Sequence, residues 1–330
     1  MRIFHGVIEI AGQMGILSGE LKRRGHIAVG YNIFHSYLGY QNHLINTIYP
    51  EIGNQSRHLI HFFDLFHFHY SSTILPEYAD LPRLKGLGKK MVMNHWGNDV
   101  RFHDQARRNN PYVYTGDSPS NETIHKQLAS ISRYIREAIV QDYEVYAYVA
   151  PYYEKVHVLP IALDMRGLAP HYPDPSNICP LILHAPTNPE FKGTKIIEAA
   201  LDRLKQEGYS FAYRRIERMN HQAALAEYEK ADIVIDQVLC GSYGLFSAEA
   251  MALGKPVVAY IREDLVSQFP ADLPVVNANP DTLYGKVKEL LEQPALRLRL
   301  GMRGRAYADR VHRVENVVDR LLVIYGELNS

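Results

Sequence analysis

The chain has 330 residues, of which 46% are hydrophobic and 22% are charged, so two ordinary domains are expected. Its 36 Lys and Arg residues equal its 36 Asp and Glu residues, and this lack of a positive field argues against a nucleic-acid partner. Two cysteines, Cys179 and Cys240, are too few for a disulfide framework or a metal-ligand set.

Short apolar runs alternate with amphipathic segments along the first half of the chain. Residues 3–10 and 27–31 predict the first two strands, with a turn at 12–15 and a helix over 16–24 between them. The remaining predicted strands cover 65–70, 90–94, 138–140 and 156–159, and the remaining helices cover 124–134 and 143–149. This alternation predicts a mostly parallel sheet covered by helices on both faces.

A proline-rich stretch then interrupts the pattern. Three prolines between Leu168 and Ser176 predict a stiff linker, after which strands and helices alternate again. In this half, strands are predicted at 181–183, 210–213 and 233–235. Helices are predicted at 193–206, 222–230 and 281–291, and a further, longer helix runs toward Tyr325. The predicted organisation is therefore a first domain over 1–165, a linker over 166–178, a second domain over 179–310 and a C-terminal helix over 311–330.

The most informative stretch of the chain runs from Ala231 to Tyr260. A buried strand at 233–235 leads into a loop with Gly241 and Gly244, and a helix then begins near Gly244. The free N–H groups and the positive end of such a helix suit a phosphate. Glu249, about one turn inside the helix, is placed to accept hydrogen bonds from the hydroxyls of a ribose.

Residues 249–257, Glu-Ala-Met-Ala-Leu-Gly-Lys-Pro-Val, resemble the donor-site signature of retaining glycosyltransferases of family 4. The resemblance covers most of the chain and is strongest from Leu181 to Tyr260. It implies an α/β protein of the GT-B fold, with two doubly wound Rossmann-like domains facing each other across a cleft. It also implies a nucleoside-diphosphate sugar as donor, transfer with retention of configuration, and a last helix that packs back on the first domain.

The resemblance also suggests which residues hold the diphosphate. Lys192, followed by a glycine, matches the second half of the phosphate loop of the family, and the N–H groups at Gly244 and Leu245 complete the predicted site. The arginine that usually opens this loop is absent, and Thr187 lies at one of the facing positions. Arg215, with its neighbours Arg214 and Arg218, is a candidate replacement for the missing cation.

A second departure from the family pattern affects the sugar. Family 4 enzymes typically carry another Glu eight residues before the one at Glu249, and this chain has Gly241 there. This loop would therefore hold the sugar hydroxyls through its backbone N–H groups, Ser242 or Tyr243, or it would not hold a sugar at all.

In the first domain, polar residues follow the strand predicted at 90–94. His95 and Asp99 resemble the His-Gly-x-Asp element of the family, loosened by the insertion of Trp96, and they are the predicted catalytic residues. His95 would contact the donor sugar or the leaving phosphate. An ion pair between Asp99 and Arg101 with a purely structural role is the alternative.

Two further groups of residues in the first domain have candidate roles. By the resemblance, Gly12, Gln13 and Gly15 border the acceptor pocket. His67 and His69 point to the same side of one strand, but no third ligand with convincing spacing accompanies them, so a hydrogen-bonded pair is favoured over a metal site. The motif Asp-x-Asp is absent, which predicts a metal-independent enzyme without a cofactor.

The expected partners are a nucleotide-sugar donor of the UDP or GDP type and a sugar, lipid-linked or small-molecule acceptor. Because no apolar run approaches the about 20 residues that span a bilayer and no signal peptide is evident, a cytoplasmic location is predicted. Basic groups such as Lys22 to Arg24 leave peripheral contact with the inner membrane face open. Two other functions stay open: a catalytically inert GT-B partner protein and a sugar-nucleotide epimerase.

Overall fold

The computed structural model describes residues 1–328 and separates them into two compact units. Unit 1 contains Met1–Gln105, Ser118–Ala162 and the C-terminal stretch from Val314, whereas unit 2 contains Ala106–Asp117 and Leu163–Arg313. The segment Ala106–Asp117, which we call the arm, therefore belongs to unit 2 although the first predicted domain includes it. Asn329 and Ser330, the end of the predicted C-terminal helix, lie outside the described residues.

Each unit is built on one parallel sheet. The sheet of unit 1 has the strand order β3-β2-β1-β4-β5-β6-β7, and the sheet of unit 2 has the order β12-β11-β10-β8-β9. In chain order the strands are β1 (Arg2–Val7), β2 (Ile27–Asn32), β3 (Leu44–Asn46), β4 (Leu65–His69), β5 (Lys90–His95), β6 (Glu137–Val140), β7 (Lys155–Val158), β8 (Leu181–His184), β9 (Ala212–Arg215), β10 (Ile233–Ile235), β11 (Val257–Ala259) and β12 (Val276–Asn277).

Helices connect these strands, as parallel pairing requires. In chain order they are α1 (Gln13–Arg23), α2 (Tyr49–Phe62), α3 (Leu81–Gly86), α4 (His103–Asn109), α5 (Asn121–Ser132), α6 (Tyr143–Val149), α7 (Pro189–Lys192), α8 (Thr194–Gln206), α9 (His221–Tyr228), α10 (Leu245–Ala252), α11 (Glu263–Val266), α12 (Leu283–Glu292), α13 (Pro294–Val311) and α14 (Val314–Glu327).

The core of unit 1 lies between its sheet and the helices α1 and α14. Ile3 and Leu65 of neighbouring strands pack with Leu17 of α1 and Leu321 of α14, and all four are essentially buried. Fully burying such a side chain contributes roughly 1.5–3 kcal/mol. The C-terminal helix is therefore an integral part of the core of unit 1.

The core of unit 2 uses helices on its own sheet. Ile197, Leu201 and Leu204 fall on one face of α8 and pack with Ile182 and Ile233 of the strands. The chain reverses its direction of strand addition between β8 and β10, so the carboxyl ends of these two strands form the switch point of this sheet.

Three local predictions differ from the structure. The turn predicted at 12–15 is wrong, because α1 already begins at Gln13, immediately after Gly12 in the left-handed conformation at φ 74°. Several segments were not predicted at all, among them β3, α2, α4 and α11, and the single final helix is in fact two, α13 and α14. Among residues 1–328, no helix is both long and apolar enough to cross a membrane.

Candidate active site

The N-terminus of α10 lies at the switch point of the unit 2 sheet. It follows β10 through the loop of residues 236–244, and Gly244 occupies the position that precedes the helix. No side chain of the described residues caps this end with a hydrogen bond. The first N–H groups of α10 are therefore left to another acceptor, which fits the anion site that the sequence predicts.

Glu249 lies one turn inside α10 and faces a histidine. Its side chain is 8% exposed, and Oε1 lies 2.5 Å from Nε2 of His221, the first residue of α9. Burial lowers the pKa of His221, but the hydrogen bond and the charge of Glu249 outweigh this effect, so the net pKa is raised. One oxygen of the predicted ribose-binding carboxylate is therefore hydrogen-bonded to the imidazole of His221, which no local sequence pattern indicated.

Lys192, the last residue of α7, is held by the end of β10. Its ammonium donates to Asp236 Oδ1 at 2.5 Å and to Gln237 Oε1 at 2.9 Å. Asp236 has no exposed surface and also accepts a hydrogen bond from Ser247 of α10 at 2.6 Å. Burial alone would raise the pKa of Asp236, but Lys192 and Ser247 lower it overall, so the carboxylate balances the charge of the lysine.

Gly241 is required by its surroundings. Its φ is 89°, and a Cβ there would lie 3.1 Å from Arg262 and 3.2 Å from Nδ2 of Asn110. A side chain at this position would have to adopt a strained backbone conformation and displace both neighbours. The local packing therefore explains why the family Glu is absent.

Asn110 connects the arm to this loop. Its side-chain amide donates to the carbonyl oxygens of Leu239 at 2.7 Å and Cys240 at 3.1 Å, and the residue is 1% exposed. Elsewhere in the arm, Tyr112 donates a hydrogen bond to Asp281 and packs edge-on against Tyr260. The arm thus supports the glycine loop from within unit 2, and no local pattern in the sequence indicated this role.

The other residues predicted in unit 2 differ in their exposure to solvent. Tyr243 is buried, with its hydroxyl 3.0 Å from Nε2 of His312, and Ser242 is buried as well. Arg215 is exposed at the end of β9 and pairs with Glu198 and Glu217. Thr187 is exposed, and Leu245 is half-buried in the first turn of α10. These assignments stay predictions.

In unit 1, a hydrogen bond joins the side chains of His95 and Asp99. His95 ends β5 and is fully buried, with Nδ1 at 2.7 Å from Asp99 Oδ2 and Nε2 at 2.8 Å from the hydroxyl of Tyr153. Asp99 also accepts a hydrogen bond from Ser71 at 3.0 Å. The alternative pairing of Asp99 with Arg101 is wrong, because Arg101 forms a bidentate ion pair with Glu144.

The loop between β1 and α1 holds the predicted acceptor residues. The side-chain amide of Gln13 donates a hydrogen bond to the carbonyl oxygen of Ala162 at 3.0 Å and accepts one from its N–H group at 2.8 Å. Gly12 directly precedes α1. The N–H group of Gly15 donates to Glu9, as does that of Met14. Burial raises the pKa of Glu9 to about 8 against the opposing pull of these N–H groups.

A pocket in unit 1 lies beside this loop. Glu9 forms part of its wall together with aromatic, amide and hydroxyl side chains, namely Asn32, Phe34, His35, Ser36, Tyr40, Gln41 and Asn46. Rings and amides in one pocket suit a polyhydroxylated ligand, because rings cover the apolar faces and amides bond the hydroxyls.

Comparisons with known proteins agree with this arrangement. Residues 192–323 match the family model described as glycosyl transferase-like, whereas no curated protein matches the chain. Solved structures with high similarity include HepE of Anabaena in complex with UDP-glucose, at 12% identity and a TM-score of 0.71, covering 99% of this chain and 100% of HepE. Sucrose-phosphate synthase from Thermosynechococcus elongatus aligns at 14% identity with a TM-score of 0.68, covering 99% of both chains.

A glycosyltransferase from Rickettsia africae also aligns, at 15% identity with a TM-score of 0.66, covering 98% of this chain and 97% of that one. At such identities the structural likeness establishes the fold, and the predicted α/β architecture of the GT-B type is confirmed. The match of residues 192–323 confirms the prediction of a glycosyltransferase enzyme.

Proposed function

We propose that this GT-B glycosyltransferase moves a sugar from a nucleoside-diphosphate sugar, with UDP as the favoured nucleotide, to an acceptor hydroxyl. The observation that carries the proposal is the switch point of unit 2, where an uncapped helix, a buried lysine and a carboxylate one turn into the helix follow neighbouring strands. HepE, a protein of similar fold, was solved with UDP-glucose, which supports a UDP-linked donor.

In this proposal, Glu249 binds the ribose hydroxyls with the oxygen that His221 does not occupy. The N–H groups at the start of α10, from Leu245 onward, bind the diphosphate, and Lys192 adds a positive charge that it shares with Asp236. The enzyme would act chiefly by stabilising the departing diphosphate, because the N–H groups and the ammonium are already in place before charge develops.

The proposed reaction retains the configuration of the transferred sugar, as in family 4, and needs no metal ion on the diphosphate. Retention places the acceptor hydroxyl on the same face as the leaving group, so the acceptor must be held independently of the donor. The pocket that Glu9 and Tyr40 help to form in unit 1 is the proposed acceptor site, and its chemistry favours a sugar-containing acceptor.

His95 is proposed to contact the donor sugar. Because Asp99 holds Nδ1 at 2.7 Å, the imidazole has a fixed orientation, and Nε2 is the atom that would contact the substrate. This role requires a substrate hydroxyl to replace Tyr153 as the partner of Nε2.

The first test is ligand binding followed by product analysis. Calorimetric titration with UDP, GDP and their sugars should give binding to at least one of them, and NMR of the transferred sugar should show the retained anomer in the presence of EDTA. Binding without transfer to any acceptor would favour the inert partner protein, to which Gly241 points. Turnover of the donor alone would identify an epimerase instead.

The decisive variant is Glu249→Ala. Loss of the carboxylate should abolish measurable donor binding, yet the melting temperature should change little, because the helix dipole contributes at most about 0.3–1 kcal/mol and Glu249 already lies beyond the first turn of α10. Glu263→Ala, which removes an exposed carboxylate from the first turn of α11, is the matched control and should bind the donor normally. Unchanged donor affinity in Glu249→Ala would refute the proposed site.

A further inference from the structure

Three histidines meet inside unit 1, on two neighbouring strands. His67 and His69 alternate along β4 and therefore point to the same side of the sheet. His5 lies on β1 directly opposite His67 in the parallel register. None of the three side chains has any exposed surface. The third histidine, which spacing along the sequence did not reveal, comes from a strand some sixty residues earlier because β1 pairs with β4.

The spacing of the ring nitrogens suits one metal ion. His5 Nδ1 and His69 Nε2 are 3.2 Å apart, and one nitrogen from each of the three rings lies within 4.8 Å of the others. Two nitrogens bound to a tetrahedral zinc ion at about 2.0–2.1 Å would be about 3.4 Å apart. The farthest pair of nitrogens therefore has to approach by at most about 1.4 Å to bind one ion.

The outer nitrogens already have partners. The hydroxyl of Tyr325 lies 3.3 Å from His5 Nε2 and 2.7 Å from His67 Nδ1, and Nε1 of Trp96 lies 3.4 Å from His69 Nδ1. Within residues 1–328, the remaining nitrogen of His67, Nε2, is buried without a hydrogen-bond partner of normal geometry, although the side chain of Asn94 lies near this histidine. A group that accepts from the outer nitrogens orients metal-binding imidazoles, and the hydroxyl of Tyr325 can accept from both His5 and His67.

We propose that His5, His67 and His69 bind one divalent transition-metal ion, with zinc as the expected occupant. Neutral imidazoles are ligands of choice for this class of ion, and two histidines at i and i+2 on one strand with a third on its neighbour form a three-histidine set with an open fourth position. The site stabilises unit 1. The diphosphate-binding residues proposed above belong to unit 2, so UDP affinity should not depend on this site.

Trp96 gives this site its own reporter. When the ion binds His69 through Nε2, the proton of that ring must lie on Nδ1, and the indole N–H then loses its acceptor. Trp96 is the only tryptophan in the chain, so its fluorescence reports this one event.

The experiment uses the full-length protein after removal of metals with a chelator. Titration with Zn²⁺ should change the fluorescence of Trp96 and saturate at one equivalent, and titration with Co²⁺ should give the visible absorption of a nitrogen-bound ion at the same stoichiometry. Zinc should also raise the melting temperature, because it binds only the folded state. Absence of one-equivalent binding by the unaltered protein would overturn the proposal.

Variants locate the ion. His67→Gln should lose stoichiometric binding, whereas His58→Ala, which removes an exposed histidine from α2, should retain it. Tyr325→Phe keeps the packing and should weaken metal affinity by about 10–100-fold, as the loss of an outer hydrogen bond does. If His67→Gln fails to fold, Tyr325→Phe still decides, because unchanged zinc affinity in that variant would contradict the site. Loss of metal with unchanged UDP affinity separates this inference from the proposed function.

Discussion

The two units differ in what accepts hydrogen bonds from the first N–H groups of the helix that follows a central strand. In unit 1, the two carboxyl oxygens of Glu9 lie 3.2 and 3.0 Å from the backbone nitrogens of Met14 and Gly15. A side chain of the protein therefore accepts hydrogen bonds from the N–H groups at the start of α1. In unit 2, no described side chain caps α10, and its first N–H groups remain available. The same topology thus binds an internal carboxyl group, that of Glu9, in one unit and offers a site for an external anion in the other.

The largest effect should follow from removing the cation beside that open site. Lys192→Ala leaves Asp236 buried without its charged partner, and losing one member of a buried pair costs about 3–5 kcal/mol. Chemical denaturation should show this loss, together with weaker UDP binding. Lys195→Ala, an exposed lysine on α8, is the control. Adding Asp236→Asn to Lys192→Ala should recover the free energy of unfolding but not the affinity for UDP. Recovery of both quantities would show that the lysine has no role in UDP binding.

The internal carboxylate of unit 1 predicts a pH dependence with a defined sign. The pKa of Glu9 rises from 4.5 to about 8 on folding, so its stabilising effect is complete below pH 4.5 and is lost as the pH rises toward 8. Stability should fall by about 1.4 kcal/mol per pH unit in this window, and Glu9→Gln should remove that slope.

Glu20 on the same helix is the control with the opposite sign. Burial alone would raise its pKa, but Arg23 and Arg24 lower it overall, so its contribution is present above pH 4.5 and is lost as the pH falls through the lowered value. Glu20→Gln should therefore destabilise the protein at neutral pH. A flat difference between the parent protein and Glu9→Gln across pH 5–8 would show that Glu9 is ionised throughout.

A smaller effect is expected at the loop before α10. Gly241→Glu restores the residue typical of the family, but a positive φ costs a non-glycine residue about 1–3 kcal/mol, and the new side chain meets Asn110 and Arg262. Donor affinity should fall in UDP titrations, whereas Gly285→Glu, at a position with open space on α12, should leave it unchanged. Improved turnover in Gly241→Glu would mean that this loop can adopt the family conformation.

The smallest effect concerns His221. Its pKa is raised in the folded protein by Glu249, so the stabilisation from this pair is present below pH 6.5 and is lost as the pH rises through the raised value. The difference in melting temperature between the parent protein and His221→Gln should therefore shrink from pH 6 to pH 9. A constant difference would show that the contact does not depend on the charge of the imidazole.

The sequence predicted what is contiguous in the chain. The strand at 233–235, the glycine loop and the helix with Glu249 form one stretch with a strong local pattern, and the structure has them within a residue or two of the predicted bounds. The strand β3 was missed because its three residues are too few to show an alternation, and α2 was missed although its buried residues Ile52, Leu59 and Ile60 fall on one face. Asp236, His221 and Asn110 could not be identified because their roles arise only when distant segments pack together.

The arm affects how this protein can be divided or recombined. Because residues 106–117 belong to unit 2 while the chain on either side belongs to unit 1, a fragment that starts at Leu163 would lack Asn110 and its support of the glycine loop. Chimeras that exchange unit 1 should therefore keep these twelve residues from the parent that supplies the rest of unit 2. A junction placed in the proline-rich stretch alone would combine the glycine loop of one parent with the arm of the other.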